Sequence, residues 1–136
     1  LKSVLEIGTG CGYQTAVISR IAEKVYTIER IKPLLDRAKK NLKLLGIRNV
    51  EFKHDDGSLG WEERAPFDAI ITTAAPQMVP AELYQQLSQE EGSLVIPVGV
   101  DNQQDLKHIV KSGQNIRTEN LGSVRFVPLL TGQVHT

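Results

Sequence analysis

Short apolar runs and longer amphipathic stretches alternate along the first hundred residues of the chain. The short runs predict buried strands. The stretches, in which apolar residues recur every three or four positions, predict helices packed on one face. Strands are predicted at residues 4–7, 25–28, 50–54, 67–73 and 93–98, and helices at residues 13–22, 34–45 and 81–87. This alternation predicts an α/β domain in which a mostly parallel sheet carries helices on both faces.

The pattern changes after residue 100, where no further helix is predicted. Three strands are predicted at residues 106–111, 116–121 and 123–130, and short turns such as Ser112-Gly113 separate them. We therefore expect an antiparallel portion at the carboxy-terminal end of the sheet. In open α/β sheets, ligands bind beyond the carboxyl ends of the strands. We therefore expect the functional site at that edge of the sheet.

A glycine-rich turn follows the first predicted strand. Gly8, Gly10 and Gly12 occupy alternate positions, where the absence of a Cβ allows close approach of the backbone to a ligand. The dinucleotide fingerprint requires its third glycine at the sixth position, and Tyr13 stands there instead. The spacing therefore disfavours a nicotinamide enzyme, and Glu6, two residues before the first glycine, suggests a different nucleoside cofactor.

Glu29 ends the second predicted strand, 21 positions after Gly8. An acid about 20 residues beyond such a turn is placed to accept hydrogen bonds from ribose hydroxyls. Each signal is weak alone, because a glycine turn can serve packing and an acid after a strand is often only solvated. Their order and spacing together favour a nucleoside-cofactor site.

The composition and charge of the chain argue against a nucleic-acid-binding or membrane-spanning protein. The chain has 136 residues, which fits one domain, and equal numbers of acidic and basic residues give it no net charge. With only 5% aromatic residues, it has neither the field nor the stacking surface expected of a nucleic-acid-binding protein. No apolar run is long enough to cross a membrane, and a single cysteine, Cys11, is consistent with a reducing compartment. We expect a cytoplasmic monomer that binds neither nucleic acid nor membrane.

The motifs at these strand ends resemble the bacterial protein-L-isoaspartate O-methyltransferase family along essentially the whole chain. Residues 4–14 (VLEIGTGCGYQ) match the first motif of class I S-adenosylmethionine-dependent methyltransferases in general. The narrower resemblance rests on segments that follow in order: 28–30 (IER), 56–57 (DG), 60–61 (GW), 65–70 (APFDAI), 74–76 (AAP), 94–99 (LVIPVG) and 124–129 (VRFVPL). It implies a three-layer Rossmann-like fold and the methyl esterification of isoaspartyl carboxylates in damaged peptides and proteins.

The resemblance also implies site residues. S-adenosyl-L-methionine, which leaves as S-adenosyl-L-homocysteine, would be bound by Glu6, Gly8, Thr9, Gly10, Cys11, Gly12, Glu29, Arg30, Asp56, Gly57 and Thr73. Within this set, Glu6 would hold the turn and the cofactor's amino group, Glu29 the ribose, and Asp56-Gly57 would lie near the adenine. The isoaspartyl peptide would be bordered by Ala74, Ala75, Pro97, Val98, Gly99, Val127, Pro128 and Leu129.

Three departures from the family pattern bear on these expectations. Asp55 stands where a glycine is common, and Leu130 stands where some members have a threonine that contacts the cofactor. The family's amino-terminal segment, which carries its substrate loop and catalytic residue, has no counterpart before Leu1. We therefore expect residues 1–136 to be the methyltransferase domain of a longer protein, and the catalytic residue is unknown here.

No Ser/His/Asp or Cys/His constellation is evident, and His54, His108 and His135 lack metal-ligand spacing. This fits a carboxylate acceptor, which is already anionic at neutral pH and requires no general base. Two alternatives remain open. They are another class I methyltransferase, acting on a small molecule or RNA, and a catalytically inactive cofactor-binding fragment.

Overall fold

The computed structural model describes residues 1–136. Its strands are β1 (Ser3–Ile7), β2 (Lys24–Glu29), β3 (Val50–His54), β4 (Ala69–Thr72), β5 (Ala74–Ala75), β6 (Glu90–Val100), β7 (Gln103–Ser112), β8 (Asn115–Val124) and β9 (Val127–Pro128). Its helices are α1 (Tyr13–Ser19), α2 (Lys32–Leu44) and α3 (Ala81–Gln86), with 3₁₀ turns at Gly57–Leu59 and Glu62–Arg64. None of the three helices combines the length and apolar character that crossing a membrane demands.

Seven strands form one mixed sheet in the order β3-β2-β1-β4-β6-β7-β8. The first five of these strands run parallel to one another, whereas β7 is antiparallel to both β6 and β8. The predicted mostly parallel sheet with an antiparallel carboxy-terminal portion is therefore confirmed. A second, two-stranded sheet pairs β5 with β9 in parallel.

Side-chain alternation along β1 explains the layers. Val4 belongs to a core cluster that includes Ile18 of α1, whereas Leu5 belongs to a larger cluster that includes Leu83 of α3. Because neighbouring residues of a strand point to opposite faces, α1 and α3 cover opposite faces of the sheet. Right-handed crossovers place α2 on the α1 side, which gives three layers.

The predicted helix at residues 13–22 is too long. The helix ends at Ser19, and the next turn is irregular. The side chain of Asn49 donates from Nδ2 to the carbonyl oxygens of Ser19 and Ala22, at 2.8 and 3.0 Å. These bonds satisfy terminal carbonyls that a longer helix would have used internally.

The predicted strand at residues 123–130 is wrong. Ser123 and Val124 complete β8, the chain then leaves the large sheet, and only Val127–Pro128 pairs again, with β5. The carboxamide of Gln104 takes both backbone hydrogen bonds of Phe126, so this residue cannot continue the ladder. The result matters for the site because the diverted segment turns toward the carboxyl ends of β1 and β2.

Candidate functional site

The glycine turn lies between β1 and α1, at the edge where the parallel strands end. Gly8 and Thr9 donate their N–H groups to the carbonyl oxygen of Ile28, at 2.9 and 3.3 Å, which ties the turn to the end of β2. Gly12 has φ +91°, and a Cβ on it would collide with Leu42 of α2. Glycine is needed there both for the backbone conformation and for close packing.

Glu29 braces the turn from the neighbouring strand. Its Oε1 accepts from the N–H of Gly10 at 2.9 Å, and its Oε2 accepts from the N–H of Ile31 at 3.1 Å. The residue is only 7% exposed, yet its side chain reaches a cavity. Each carboxylate oxygen has more than one acceptor site, so Glu29 can hold the turn and still accept hydrogen bonds from a ligand.

A cavity of about 410 Å³ opens beside the turn. Its lining is drawn from the ends of β1 and β2, the start of α2, the loop after β4 and the segment around β9. The lining residues are Ile7, Gly8, Gly10, Ile28, Glu29, Arg30, Ile31, Leu34, Gly57, Thr73, Ala74, Val127, Pro128, Leu129 and Leu130. The volume lies in the range of small-molecule sites, and an apolar lining with a few polar groups is typical of them.

Two polar atoms in this region are buried without a partner: Arg30 Nε and Glu6 Oε2. Arg30 is one of the residues that line the cavity, and its buried Nε–H has no hydrogen-bond partner within the chain. Buried polar groups are normally paired, and a donor left free beside a cavity therefore fits a ligand-binding site.

Glu6 lies behind the turn and is fully buried. Its Oε1 accepts from the hydroxyls of Thr15 and Thr27, the latter at 2.7 Å, and the Thr27 hydroxyl lies 2.6 Å from that of Thr9. Burial, with a smaller contribution from the charge of Glu29, raises the pKa of Glu6 to about 7 against the lowering effect of the Thr15 and Thr27 hydroxyls. The chain of hydroxyls links Glu6 to Thr9, in the middle of the turn.

The carboxy-terminal segment completes the cavity. Leu129 donates its N–H to the carbonyl oxygen of Ala75 at 2.9 Å, in line with the β5–β9 pairing. Further on, Val134 donates to the carbonyl oxygen of Arg30 and accepts from the N–H of Lys32, both at 2.6 Å. The segment therefore crosses the cavity as a wall and is tied to the residues just after β2.

Asp56 helps to anchor this segment. Its Oδ1 accepts from the N–H and the hydroxyl of Ser58, and its Oδ2 accepts from the N–H of Gly132 at 3.1 Å. Partial burial raises the pKa of Asp56, but the hydrogen bonds from Ser58 and Gly132 outweigh it, so the pKa lies below its usual value. In this arrangement the carboxylate serves the fold.

The structure brings together some of the predicted site residues. Of the predicted cofactor residues, the cavity is lined by Gly8, Gly10, Glu29, Arg30, Gly57 and Thr73; of the predicted substrate residues, it is lined by Ala74, Val127, Pro128 and Leu129. The others lie outside the lining, namely Glu6, Thr9, Cys11, Gly12, Asp56, Ala75, Pro97, Val98 and Gly99. Ala75 and Pro97 are buried, and Cys11 is exposed.

Sequence reasoning missed most of the apolar lining. Ile7 ends β1 and Ile28 is the last residue but one of β2, each immediately before a predicted residue, while Ile31 precedes α2 and Leu34 lies in its first turn. Their signal was adjacency to Gly8 and Glu29, since the last residues of parallel strands border the site at that edge. Leu130, noted only as a departure from the family pattern, also lines the cavity.

Comparisons with known proteins agree with this geometry. A family model described as Protein-L-isoaspartate(D-aspartate) O-methyltransferase matches residues 1–134. A protein-L-isoaspartate O-methyltransferase of Dictyoglomus thermophilum is 56% identical over 128 residues, which cover 94% of this chain and 58% of the relative. Protein-L-isoaspartate O-methyltransferase 1 of Marinobacter nauticus is 53% identical over 133 residues, covering 98% of this chain and 60% of the relative.

A solved structure of a protein-L-isoaspartate O-methyltransferase superposes with a TM-score of 0.86 at 32% sequence identity. The match covers 93% of this chain and 41% of that one. The chain thus spans about 60% of the length of these two curated relatives.

Proposed function

Because the chain belongs to the protein-L-isoaspartate(D-aspartate) O-methyltransferase family, we propose that its cavity binds S-adenosyl-L-methionine for methyl transfer to a carboxylate. The acceptor is the free carboxylate of an isoaspartyl residue in a damaged peptide or protein. Residues 1–136 act as the methyltransferase domain. The observation that carries the proposal is that residues expected for cofactor and for substrate line one cavity at the carboxyl edge of the sheet.

The chemistry of the lining fits the cofactor. Glu29 offers carboxylate lone pairs suited to ribose hydroxyls, and Arg30 offers an unpaired N–H. Ile28, Ile31 and Leu34 supply an apolar surface suited to a nucleobase. S-adenosyl-L-homocysteine would leave from the same contacts, since it differs only in the lost methyl group and charge.

The reaction asks little acid–base chemistry of the protein. S-adenosyl-L-methionine supplies a methyl group on a positively charged sulfonium, and a carboxylate is already a nucleophile at neutral pH. The apolar residues Ile7, Leu129 and Leu130 line the cavity, and an apolar surrounding favours the mutual neutralisation of the reacting charges. The remaining contribution of the chain is to position cofactor and acceptor in line.

Two measurements made in sequence test the proposal. Calorimetric titration of S-adenosyl-L-homocysteine into the 136-residue chain tests the cavity, and saturable one-to-one binding is expected. Transfer of radiolabelled methyl by the whole protein to an isoaspartyl peptide is then compared with transfer to its aspartyl twin, which has the same composition and charge. Selective labelling of the isoaspartyl peptide supports the assignment, whereas equal labelling of both peptides, or of neither, contradicts it.

A further inference from the structure

The wall of the cavity at Val127–Pro128 also borders a second cavity. The latter has a volume of about 350 Å³ and is lined by Asp101, Asn102, Gln104, Arg125, Phe126 and Pro128. Pro128 faces both cavities, so the wall is only one chain thick. The position of the wall therefore depends on the contacts that hold Phe126, the residue immediately before it.

The side chain of Gln104 holds Phe126 in place. It is 3% exposed, although its neighbour in β7, Gln103, is exposed. Its Oε1 accepts from the N–H of Phe126 at 2.8 Å, and its Nε2 donates to the carbonyl oxygen of Phe126 at 3.0 Å. The last ladder pair of β7 and β8 joins Gln104 to Val124, so the side chain takes over where the backbone pairing stops.

We propose that Gln104 is a positioning residue for the cofactor cavity: its carboxamide clamps Phe126 and thereby fixes residues 127–130 as the cavity wall. The inference rests on the proposed function, because its consequence is read in cofactor binding. Gln104 does not line the cofactor cavity itself, and it acts only through the segment that it holds.

The clamp needs one donor and one acceptor on the same planar group. Leucine has nearly the same size and supplies neither, so Q104L leaves both backbone groups of Phe126 without their partner. An ionised carboxylate supplies only acceptors and would repel the Phe126 carbonyl oxygen. A protonated carboxyl group, in contrast, has one O–H donor and one carbonyl acceptor and can restore both hydrogen bonds.

This difference gives a test that a general loss of stability would not reproduce. We expect Q104L and Q104E to raise the dissociation constant of S-adenosyl-L-homocysteine about tenfold near pH 8. A factor of this size corresponds to the free energy of two lost hydrogen bonds. Because burial raises the pKa of a carboxyl group, Q104E binding relative to wild type should recover as the pH falls to about 5.5. Q104L should show no such recovery, and Q103A, the matched exposed neighbour, should bind like wild type.

The outcomes separate this inference from the proposed function. Thermal unfolding of each variant, followed at both pH values, reports whether recovery of binding is merely recovery of the folded population. Failure of the wild-type chain to bind S-adenosyl-L-homocysteine would overturn the proposed function. If the wild type binds and Q104L and Q104E match its dissociation constant, or if Q104E shows no pH-dependent recovery, the assignment of Gln104 is overturned and the proposed function stands.

Discussion

Replacement of Glu6 by glutamine removes a buried charge and keeps the hydrogen bonds that surround it. Glu6 is fully buried, and only its Oε1 has partners, the hydroxyls of Thr15 and Thr27. In E6Q the amide oxygen can still accept from both hydroxyls, while no ionisable group remains. The amide N–H groups have no acceptor at any pH, so the pH dependence of the wild type relative to E6Q isolates the cost of ionising Glu6 inside the protein.

The sign of the effect follows from proton binding. Burial raises the pKa of Glu6 from its ordinary value of 4.5 to about 7, so the folded state holds the proton more tightly than the unfolded chain. The contribution to stability is complete below pH 4.5 and is lost as the pH rises through 7. The full difference corresponds to about 3 kcal/mol, of which about 2 to 3 kcal/mol falls between pH 5 and pH 8.

Chemical denaturation at pH 5 and pH 8 measures this directly. We expect the free energy of unfolding of the wild type, relative to E6Q, to fall by about 2 to 3 kcal/mol from pH 5 to pH 8. E23Q, at an exposed position, is the matched control and should leave the pH dependence unchanged. Parallel pH dependences for wild type and E6Q would refute the raised pKa.

Two further predictions concern the glycine turn and its brace. G12A should lower the free energy of unfolding at least about 2 kcal/mol more than G46A, because both positions have positive φ but only a Cβ at Gly12 meets Leu42. Equal losses in urea unfolding would contradict this reasoning. E29A should weaken S-adenosyl-L-homocysteine binding at least about tenfold, because it removes the acceptor of the Gly10 and Ile31 N–H groups as well as the proposed ribose contact. Calorimetry with exposed E23A as the control tests this, and unchanged affinity would count against the site.

Local pattern was sufficient for the parallel half of the fold. The predicted strand at residues 50–54 has the same bounds as β3, and the predicted helix at residues 34–45 overlaps most of α2. In α2, Leu35, Ala38 and Leu42 are buried at helical spacing. Signals of this kind are encoded within one element, so the sequence alone reveals them.

The features that the local pattern did not predict depend on hydrogen bonds between residues far apart in the chain. Alternating apolar residues predicted a strand at residues 123–130, but Gln104 draws Phe126 out of the ladder from 22 positions away. Gly132, 76 residues after Asp56, donates to one of its oxygens, and the place of Asp56 near the adenine stays a prediction. The sequence around Phe126 and around Asp56 contains no pattern that predicts these contacts.

The role of Glu6 shows an intermediate case. Its place before the glycines predicted that it holds the turn, and in the structure it is linked to the turn through Thr27 and Thr9; its predicted contact with the cofactor's amino group stays a prediction. Thr27 meets Glu6 because the two residues are directly paired in the β1–β2 register. That register is a property of the assembled sheet, and the same acid therefore lies behind the turn and outside the cavity lining.

The wall that closes the cavity has a consequence for how the protein matures. Residues 127–134 pair with segments that were synthesised about 50 to 100 residues earlier, near Ala75 and Arg30, and contacts of such long range form late and slowly. A nascent chain can build β1 to β4 before residues 127–134 have been synthesised. The cavity would then be completed only when residues 127–134 join the ends of β1 and β2.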